Sequence, residues 1–332
     1  MKKIIPLLLT ALAISACSIN NSNPTSDSSS SDAIGSADVY YSPDMFSIVS
    51  PTGAPALAFY NYATLKNFET NSVPTNIVAM MNKGEKDVVV LPTNAGVQAI
   101  VNANAPYRLA ATITFGNFYI VSMKNDDNQV MDASDTILLF QKNNVPDKIF
   151  HYIYGDTLNS ALHYVSAVND AASAIIGGKF TDSDLGTDLV PNYVMIAEPA
   201  LTNVLSKKGE AISVYTNVQE EYKKKSNNAE LFQASVFINK NLEPEKVRFF
   251  LEDLKRDIDE AIANPSVMSA GMSKIEDAAT VYGVAPTMAE NVLRKNNGMG
   301  LGFKLAKDNI EAINTFLGIF GINNVDEKVF YK

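Results

Sequence analysis

The apolar run Val88-Val89-Val90-Leu91 places the strongest constraint on what this chain can fold into. Four consecutive large apolar residues, between Asp87 and the turn Pro92-Thr93-Asn94, are typical of a strand that is buried on both faces. Such strands occur in parallel sheets that carry helices on both sides. The run therefore favours an α/β fold over a sandwich, whose strands alternate apolar and polar residues.

The order of strand, turn and helix recurs along the chain and predicts parallel sheets. The predicted strands are Phe46–Val49, Asp87–Leu91, Arg108–Ile113, Asn117–Ser122, Thr136–Phe140, Leu162–Val165, Tyr193–Ile196 and Phe232–Ile238. The predicted helices are Pro55–Asn67, Pro74–Lys83, Asn94–Val101, Pro146–Tyr154, Val168–Ile176, one that starts at Glu198-Pro199, Pro244–Ala263, Pro286–Lys295 and Leu305–Leu317.

The N-terminal segment predicts export and lipid anchoring. Two lysines precede the apolar segment Ile4–Ala16, which ends at Cys17, the single cysteine of the chain. The segment is too short to span a bilayer, and its small last residues suit a signal peptidase. We predict a signal peptide over residues 1–16, lipidation of Cys17 and a serine-rich flexible tether over residues 17–37. The alternative is an ordinary signal peptide with a chance cysteine.

Charge and cysteine content exclude some partners. The chain has 36 acidic and 27 basic residues, a net charge of -9 that becomes -11 once Lys2 and Lys3 leave with the signal peptide. An acidic exported chain without a basic tract is a poor partner for nucleic acid, so we expect none. Because no cysteine follows Cys17, no disulfide is expected and the core alone must hold the fold.

The usual catalytic signatures are missing from the sequence. The two histidines fall in unlike positions, His151 in a predicted helix and His163 in a predicted strand, and two imidazoles without cysteines make a poor metal site. Gly298, Gly300 and Gly302 follow a helix, not a strand, so they are weak indicators of a dinucleotide loop. We therefore expect no enzymatic activity, no metal and no cofactor.

Polar turns follow the predicted strands at the edge where open parallel sheets bind ligands. The turn that contains Thr52-Gly53-Ala54 opens a helix, and its free backbone N–H groups would suit a carboxylate, sulfonate or carbonyl oxygen. Thr93 and Asn94 would add side-chain hydrogen bonds from the neighbouring strand end. The alternative for each turn is helix capping without any ligand.

From about Phe46 to the C-terminus, the order of motifs resembles the solute-binding proteins of ABC importers. The group with the greatest resemblance serves nitrate, sulfonates, taurine and thiamine precursors. The segments that carry the resemblance are Ser50–Ala58 (SPTGAPALA), Leu91–Gly96 (LPTNAG), Lys142–Asp147 (KNNVPD), Ala197–Thr202 (AEPALT), Phe232–Ile238 (FQASVFI) and Val329–Lys332 (VFYK).

The resemblance implies a type II periplasmic-binding-protein fold, in which two α/β lobes are joined by two crossover segments around a central ligand cleft. It implies crossings near residues 114–117 and 231–233, with Gly116 as a hinge. Lobe one would comprise residues 38–115 and 233–332, and lobe two residues 116–232.

The same resemblance implies which residues face the cleft. Glu198 also has a second interpretation, as an acid in the first turn of the helix that follows it. The implied site residues are Thr52, Gly53, Ala54, Pro92, Thr93 and Asn94 from lobe one, Gln141, Lys142, Asn143 and Glu198 from lobe two, and Asn117 and Gln233 at the crossings.

The implied partners are a small organic solute and the permease and ATPase subunits of an importer, with the protein itself a monomer. Where relatives often have a glycine-rich turn, Gln141-Lys142-Asn143-Asn144 is bulkier, and no arginine falls in a cleft turn. A heterocyclic vitamin precursor or a sulfonate-like solute is therefore favoured over an inorganic anion. Two alternatives remain: a surface adhesin on the same fold, and an enzyme like those of thiamine-pyrimidine synthesis.

Overall fold

The computed structural model describes residues 41–124, 130–182 and 184–332. Residues Tyr41–Lys332 form one compact unit. The predicted signal peptide, the lipidation site Cys17 and the predicted tether over residues 17–37 lie outside the described residues.

The described strands and helices are numbered in chain order. The strands are β1 (Ile48–Pro51), β2 (Phe68–Asn71), β3 (Val88–Pro92), β4 (Tyr107–Thr114), β5 (Phe118–Ser122), β6 (Ile137–Phe140), β7 (Leu162–Val165), β8 (Phe180–Thr181), β9 (Asp188–Leu189), β10 (Tyr193–Ala197), β11 (Ser213–Asn217), β12 (Ala234–Asn239) and β13 (Leu301–Leu305). The helices are α1 (Ala54–Leu57), α2 (Pro74–Lys83), α3 (Thr93–Ala103), α4 (Val145–Tyr154), α5 (Val168–Gly177), α6 (Ala200–Lys208), α7 (Val218–Lys225), α8 (Pro244–Ala263), α9 (Pro265–Met272), α10 (Ala278–Tyr282), α11 (Pro286–Arg294) and α12 (Ile310–Gly318).

Two sheets contain most of these strands. The first sheet has the strand order β13-β4-β12-β3-β1-β2, and the second has the order β11-β5-β10-β6-β7. In the first sheet β2, β1 and β3 run parallel, whereas β12 is antiparallel to both β3 and β4. In the second sheet β10, β6 and β7 run parallel and β5 is antiparallel to β10 and β11. Val88–Leu91 is fully buried within the first sheet, as its apolar run predicts.

The chain passes between the two sheets at two places. It leaves the first sheet at Thr114 and enters the second at Phe118. It returns between the end of α7 at Lys225 and the start of β12 at Ala234. In the first sheet, β4 ends and β12 begins at the carboxyl edge of the parallel strands. In the second sheet, β5 begins at the carboxyl edge. The two carboxyl edges therefore meet at the crossings. The result is two α/β lobes, as predicted.

Close packing of two backbones marks the first crossing. Gly116 has φ +93° and Gly300 has φ +63°, and a Cβ atom at Gly300 would lie 2.0 Å from the Gly116 carbonyl oxygen. The Phe115 N–H donates to the Gly300 carbonyl at 2.8 Å, and a Cβ atom at Gly302 would lie 2.9 Å from the Phe115 ring. Gly300 and Gly302 therefore allow β13 to approach the crossing closely, a contact that the sequence did not reveal.

The helix predicted from Pro55 to Asn67 is wrong, because α1 ends at Leu57 and turns lead into β2. Phe59, Tyr60 and Tyr62 are all fully buried. Ala56, Leu57 and Ala58 are buried as well, and on a helix these six positions would lie on all sides, so no single helix face could bury them. Successive turns bury them instead, and the Tyr62 hydroxyl donates to Asp253 Oδ2 at 2.6 Å.

The sequence analysis also missed several short elements, some of them near the C-terminus. The predicted helix Leu305–Leu317 starts late, at Ile310, because residues 301–305 form β13 beside β4. The elements without a predicted counterpart are β2, β8, β9, β11, β13, α7, α9 and α10.

Candidate functional site

A network of hydrogen bonds at the first crossing joins four of the predicted site residues. The Asn117 side-chain Nδ2 donates to the Glu198 carbonyl at 2.9 Å, and the Glu198 N–H donates to the Asn117 carbonyl at 3.0 Å. Gln233 Nε2 lies 3.5 Å from Asn117 Oδ1, and the Thr93 N–H donates to the Gln233 carbonyl at 3.0 Å. This network links the start of α3 in one lobe to the end of β10 in the other.

Two buried side-chain oxygens at the same edge of the first sheet have no hydrogen-bond partner among the described residues. They are Asn94 Oδ1, in the first turn of α3, and Thr114 Oγ1, at the end of β4. A buried polar atom without a partner costs roughly 1–3 kcal/mol, so such atoms are uncommon and call for an explanation. A polar solute that reaches these oxygens when it binds would supply one. Thr114 was not predicted as a site residue, although it is the first residue of the predicted crossing at residues 114–117.

The Thr93 hydroxyl is used within lobe one. It lies 2.7 Å from Ser235 Oγ, which lies 2.8 Å from Thr112 Oγ1, and all three residues are fully buried. Because its N–H also has a partner, Thr93 fixes the start of α3 rather than offering free groups to a solute. Its neighbour Pro92 ends β3 and is half-buried.

The turn Thr52-Gly53-Ala54 differs from its prediction. The Gly53 N–H donates to the Tyr282 carbonyl at 2.7 Å, so the expectation of a free N–H group is wrong at this residue. A Cβ atom at Gly283 would lie 3.2 Å from both Gly53 N and Thr52 Cβ, which shows how closely the two segments pack. Gly53 has φ +93°, which suits glycine, and Ala54 is buried.

The loop that follows β6 in lobe two is ordered by local contacts. Gln141 and Asn143 adopt left-handed backbone conformations, and the Gln141 N–H donates to the Val165 carbonyl at 2.9 Å. The Asn143 N–H donates to Asp147 Oδ2 at 2.7 Å. Lys142 pairs with Asp184 and its Nζ lies 4.9 Å from the centre of the Tyr164 ring. The side chains of Gln141 and Asn143 are exposed, whereas the Lys142 charge is already paired.

Glu198 caps the helix that follows it. Its carboxylate accepts the Thr202 N–H at 2.9 Å and the Thr202 hydroxyl at 2.8 Å, which matches the capping interpretation. Burial raises the pKa of Glu198, while the bonds from Thr202 and the charge of Lys295 oppose that rise. The side chain therefore holds a carboxyl group at the inter-lobe crossing whose ionised form is disfavoured by burial.

We expect the substitution Glu198→Gln to flatten part of the pH dependence of stability. Because the pKa of Glu198 is raised on folding, its favourable contribution is full below the unfolded-state pKa and is lost as the pH rises through the folded-state pKa. As the pH rises above about 4, the free energy of unfolding of the wild type should therefore fall relative to that of the variant. Urea denaturation across this range measures the difference, and a constant difference would contradict the assignment.

A cavity of about 290 Å³ lies beside the first crossing. It is lined by Phe115 and Gly116, by Tyr119 and the first turn of α7, and by β13.

The described residues provide neither a cluster of metal ligands nor a membrane-spanning helix. Residues 41–124, 130–182 and 184–332 contain no group of three or more His, Cys, Asp or Glu side chains that could hold a metal ion. No helix in these ranges has the length and apolar character needed to cross a membrane.

No protein-family model and no curated protein matches this sequence. Solved structures do match. An ABC transporter from Parabacteroides distasonis has a TM-score of 0.65 at 16% identity, over 86% of this chain and 98% of that one. The periplasmic aliphatic sulphonate binding protein SsuA from Escherichia coli has a TM-score of 0.56 at 11% identity, over 82% and 85%.

A third match is the ligand binding component of an ABC-type import system from Staphylococcus aureus with zinc bound, with a TM-score of 0.56 at 9% identity over 86% and 95%. The chain has the periplasmic-binding-protein fold. The predicted fold class is thereby confirmed, and at these identities the likeness is one of fold.

Proposed function

We propose that the protein is the extracytoplasmic solute-binding component of an ABC importer, which captures a small organic solute between its lobes and passes it to a permease. The observation that carries the proposal is the pair of unpartnered buried oxygens, Asn94 Oδ1 and Thr114 Oγ1, at the edge where the lobes meet. The fold supports it, since open α/β sheets bind ligands at their carboxyl edges. No catalytic step is proposed.

The proposed site is centred on Asn94, Thr114, Asn117 and Gln233. Glu198 forms its lobe-two side, and exposed Gln141 and Asn143 lie on the loop that follows the neighbouring strand. Of the residues expected from the sequence, Gly53, Thr93 and Lys142 have polar groups that are engaged elsewhere, and Ala54 and Pro92 have no polar side chain, so we assign these five residues supporting positions. Thr52 stays a predicted site residue.

The groups at this edge favour a solute that donates hydrogen bonds. The unpartnered oxygens of Asn94 and Thr114 can accept hydrogen bonds, and the carboxyl group of Glu198, whose ionised form burial disfavours, supplies no positive charge. The one cation among the predicted residues, Lys142, is paired with Asp184. A small heterocycle with N–H or O–H groups fits this set better than an inorganic anion, and a sulfonate-like solute remains the second choice because a sulphonate binder has the same fold.

Anchoring and assembly belong to the same proposal. Cys17 would carry the lipid, residues 17–37 would act as the tether, and the mature protein would serve its permease and ATPase partners as a monomer. The lobes would divide at residues 115/116 and 232/233. Both boundaries fall where the chain crosses between the sheets, which supports them.

A thermal-shift screen tests the proposed function. The compounds are sulfonates, pyrimidines, flavins and nitrate, each added to the purified protein. A true solute at 100 times its dissociation constant should raise the free energy of unfolding by about 2.7 kcal/mol, an easily measured increase in melting temperature. If no compound raised the melting temperature, the adhesin alternative would gain support and the importer proposal would lose its basis.

A further inference from the structure

A groove on lobe one lies outside the proposed solute site. It has a volume of about 360 Å³ and runs between α8 and β13, with β4 beneath it. Its floor is apolar and includes Ala110 and Leu251, which are only 2% and 7% exposed. The apolar residues that line it are Ala110, Pro244, Leu251, Phe303, Leu305 and Tyr331.

The rim of this groove is basic, on a protein whose net charge is -9. The charged residues that line it are four basic ones, Arg248, Lys255, Lys307 and Lys332, and one acidic one, Glu252. Rim and floor together match a ligand that is apolar at one end and anionic at the other.

The ion pairs of the rim are exposed and can be exchanged. Arg248 Nη1 lies 3.1 Å from Glu252 Oε1, with both side chains 65% exposed. Lys255 pairs with exposed Asp259, and Lys332 Nζ lies 3.0 Å from Glu327 Oε2. Pairs of this kind contribute little to stability, so an incoming anion can replace the carboxylates at low cost. Lys307 forms no ion pair with any described residue and is free to contact the anion directly.

We propose that the α8–β13 groove binds a small anionic amphiphile, with its apolar tail on the floor and its carboxylate, sulfate or phosphate head at Lys307 and Lys255. This site is separate from the inter-lobe cleft and does not depend on the proposed transport function. Tail burial provides most of the affinity, and the basic rim selects the sign of the head group.

Calorimetric titration of the full-length protein tests the proposal with decanoate as the probe. Decanoate should bind, hexanoate should bind at least about tenfold more weakly because less tail is buried, and acetate should not bind. Decyltrimethylammonium, which has the same tail and a cationic head, should bind at least about fivefold more weakly than decanoate.

Exposed charges supply variants that should leave folding intact. The double substitution Lys255→Glu/Lys307→Glu should weaken decanoate binding at least about fivefold. The control, Lys66→Glu/Lys207→Glu, makes the same charge change at exposed positions away from the groove and should leave the affinity for decanoate unchanged. Equal affinity for decanoate and decyltrimethylammonium, or full affinity in the first double variant, would overturn the proposal.

Competition separates two sources of such a ligand. If phosphatidylglycerol vesicles, but not phosphatidylcholine vesicles, displace decanoate, the natural ligand is a membrane lipid. If neither displaces it, the ligand is a free amphiphile. Both results retain the groove as a site for an anionic amphiphile, whereas the double-variant result above decides whether the site exists.

Discussion

Replacing Gly300 with alanine is expected to lower the free energy of unfolding by about 3 kcal/mol or more. The added Cβ would lie 2.0 Å from the Gly116 carbonyl oxygen, a backbone atom, and the position of a Cβ is itself fixed by its own backbone, so neither atom can move aside like the end of a flexible side chain. The φ of +63° adds the cost of a left-handed alanine. Urea denaturation measures the loss directly.

Two other glycines separate the causes of this effect. Gly178 has φ +71° with open space around its Cβ position, so Gly178→Ala should show only the backbone cost, about 1 kcal/mol. Gly177, its neighbour at the end of α5, has neither feature, and Gly177→Ala should be neutral or stabilising by about 0.5 kcal/mol. If Gly300→Ala cost no more than Gly178→Ala, the close approach of β13 to the crossing would be wrong.

The second large effect is a loss of solute affinity. We expect it when one threonine of β4 is replaced by valine, but not when another threonine of the same strand is. Thr114→Val removes a buried hydroxyl that has no partner, so the free energy of unfolding should stay unchanged or rise by about 1 kcal/mol. Solute affinity should fall about tenfold, since the solute loses one buried hydrogen bond. Thermal melting and titration with the solute found in the screen measure both quantities.

Thr112→Val is the matched control. It removes a hydroxyl that is bonded to Ser235 Oγ within lobe one, two residues from Thr114 along β4. It should cost about 1 kcal/mol of stability and leave solute affinity within about twofold. The two variants should thus show opposite patterns. A similar loss of affinity in both would indicate that β4 affects binding only through the packing of the lobe.

The parts of the fold that local sequence determines could be predicted. The buried strand at Val88–Leu91 could be predicted from its apolar run alone. The end of α2 at Gly84 could be predicted because a left-handed glycine stops a helix. The amphipathic helix α8 has the predicted bounds, Pro244–Ala263, since its apolar stripe and starting proline are visible in the sequence. The resemblance to solute-binding proteins supplied the two-lobed arrangement that these local patterns could not.

Features that depend on distant contacts could not be predicted. Thr93 was expected to face a solute, but its hydroxyl is hydrogen-bonded to that of Ser235, 142 residues away. Gly53 was expected to offer a free N–H group, but this group donates a hydrogen bond to the Tyr282 carbonyl. The proposed role of Thr114 and the close packing at Gly300 both depend on what lies beside these residues after folding. Each depends on tertiary contacts that no spacing rule encodes.

The most direct test of solute capture is a spin-label distance measurement across the mouth of the cleft. Val73 follows β2 and Ser166 follows β7, and both residues are exposed. In the strand order of each sheet, β2 and β7 are the strands that lie farthest from the crossings. Both residues would be replaced by cysteine in a full-length Cys17→Ser protein. Labels at Val73→Cys and Val101→Cys, both in lobe one, provide the control pair, which should not change.

With the solute that stabilises the protein, the distance between the labels at residues 73 and 166 should shorten, and Thr114→Val should require about tenfold more solute for the same change. An unchanged distance at saturating solute would contradict capture between the lobes.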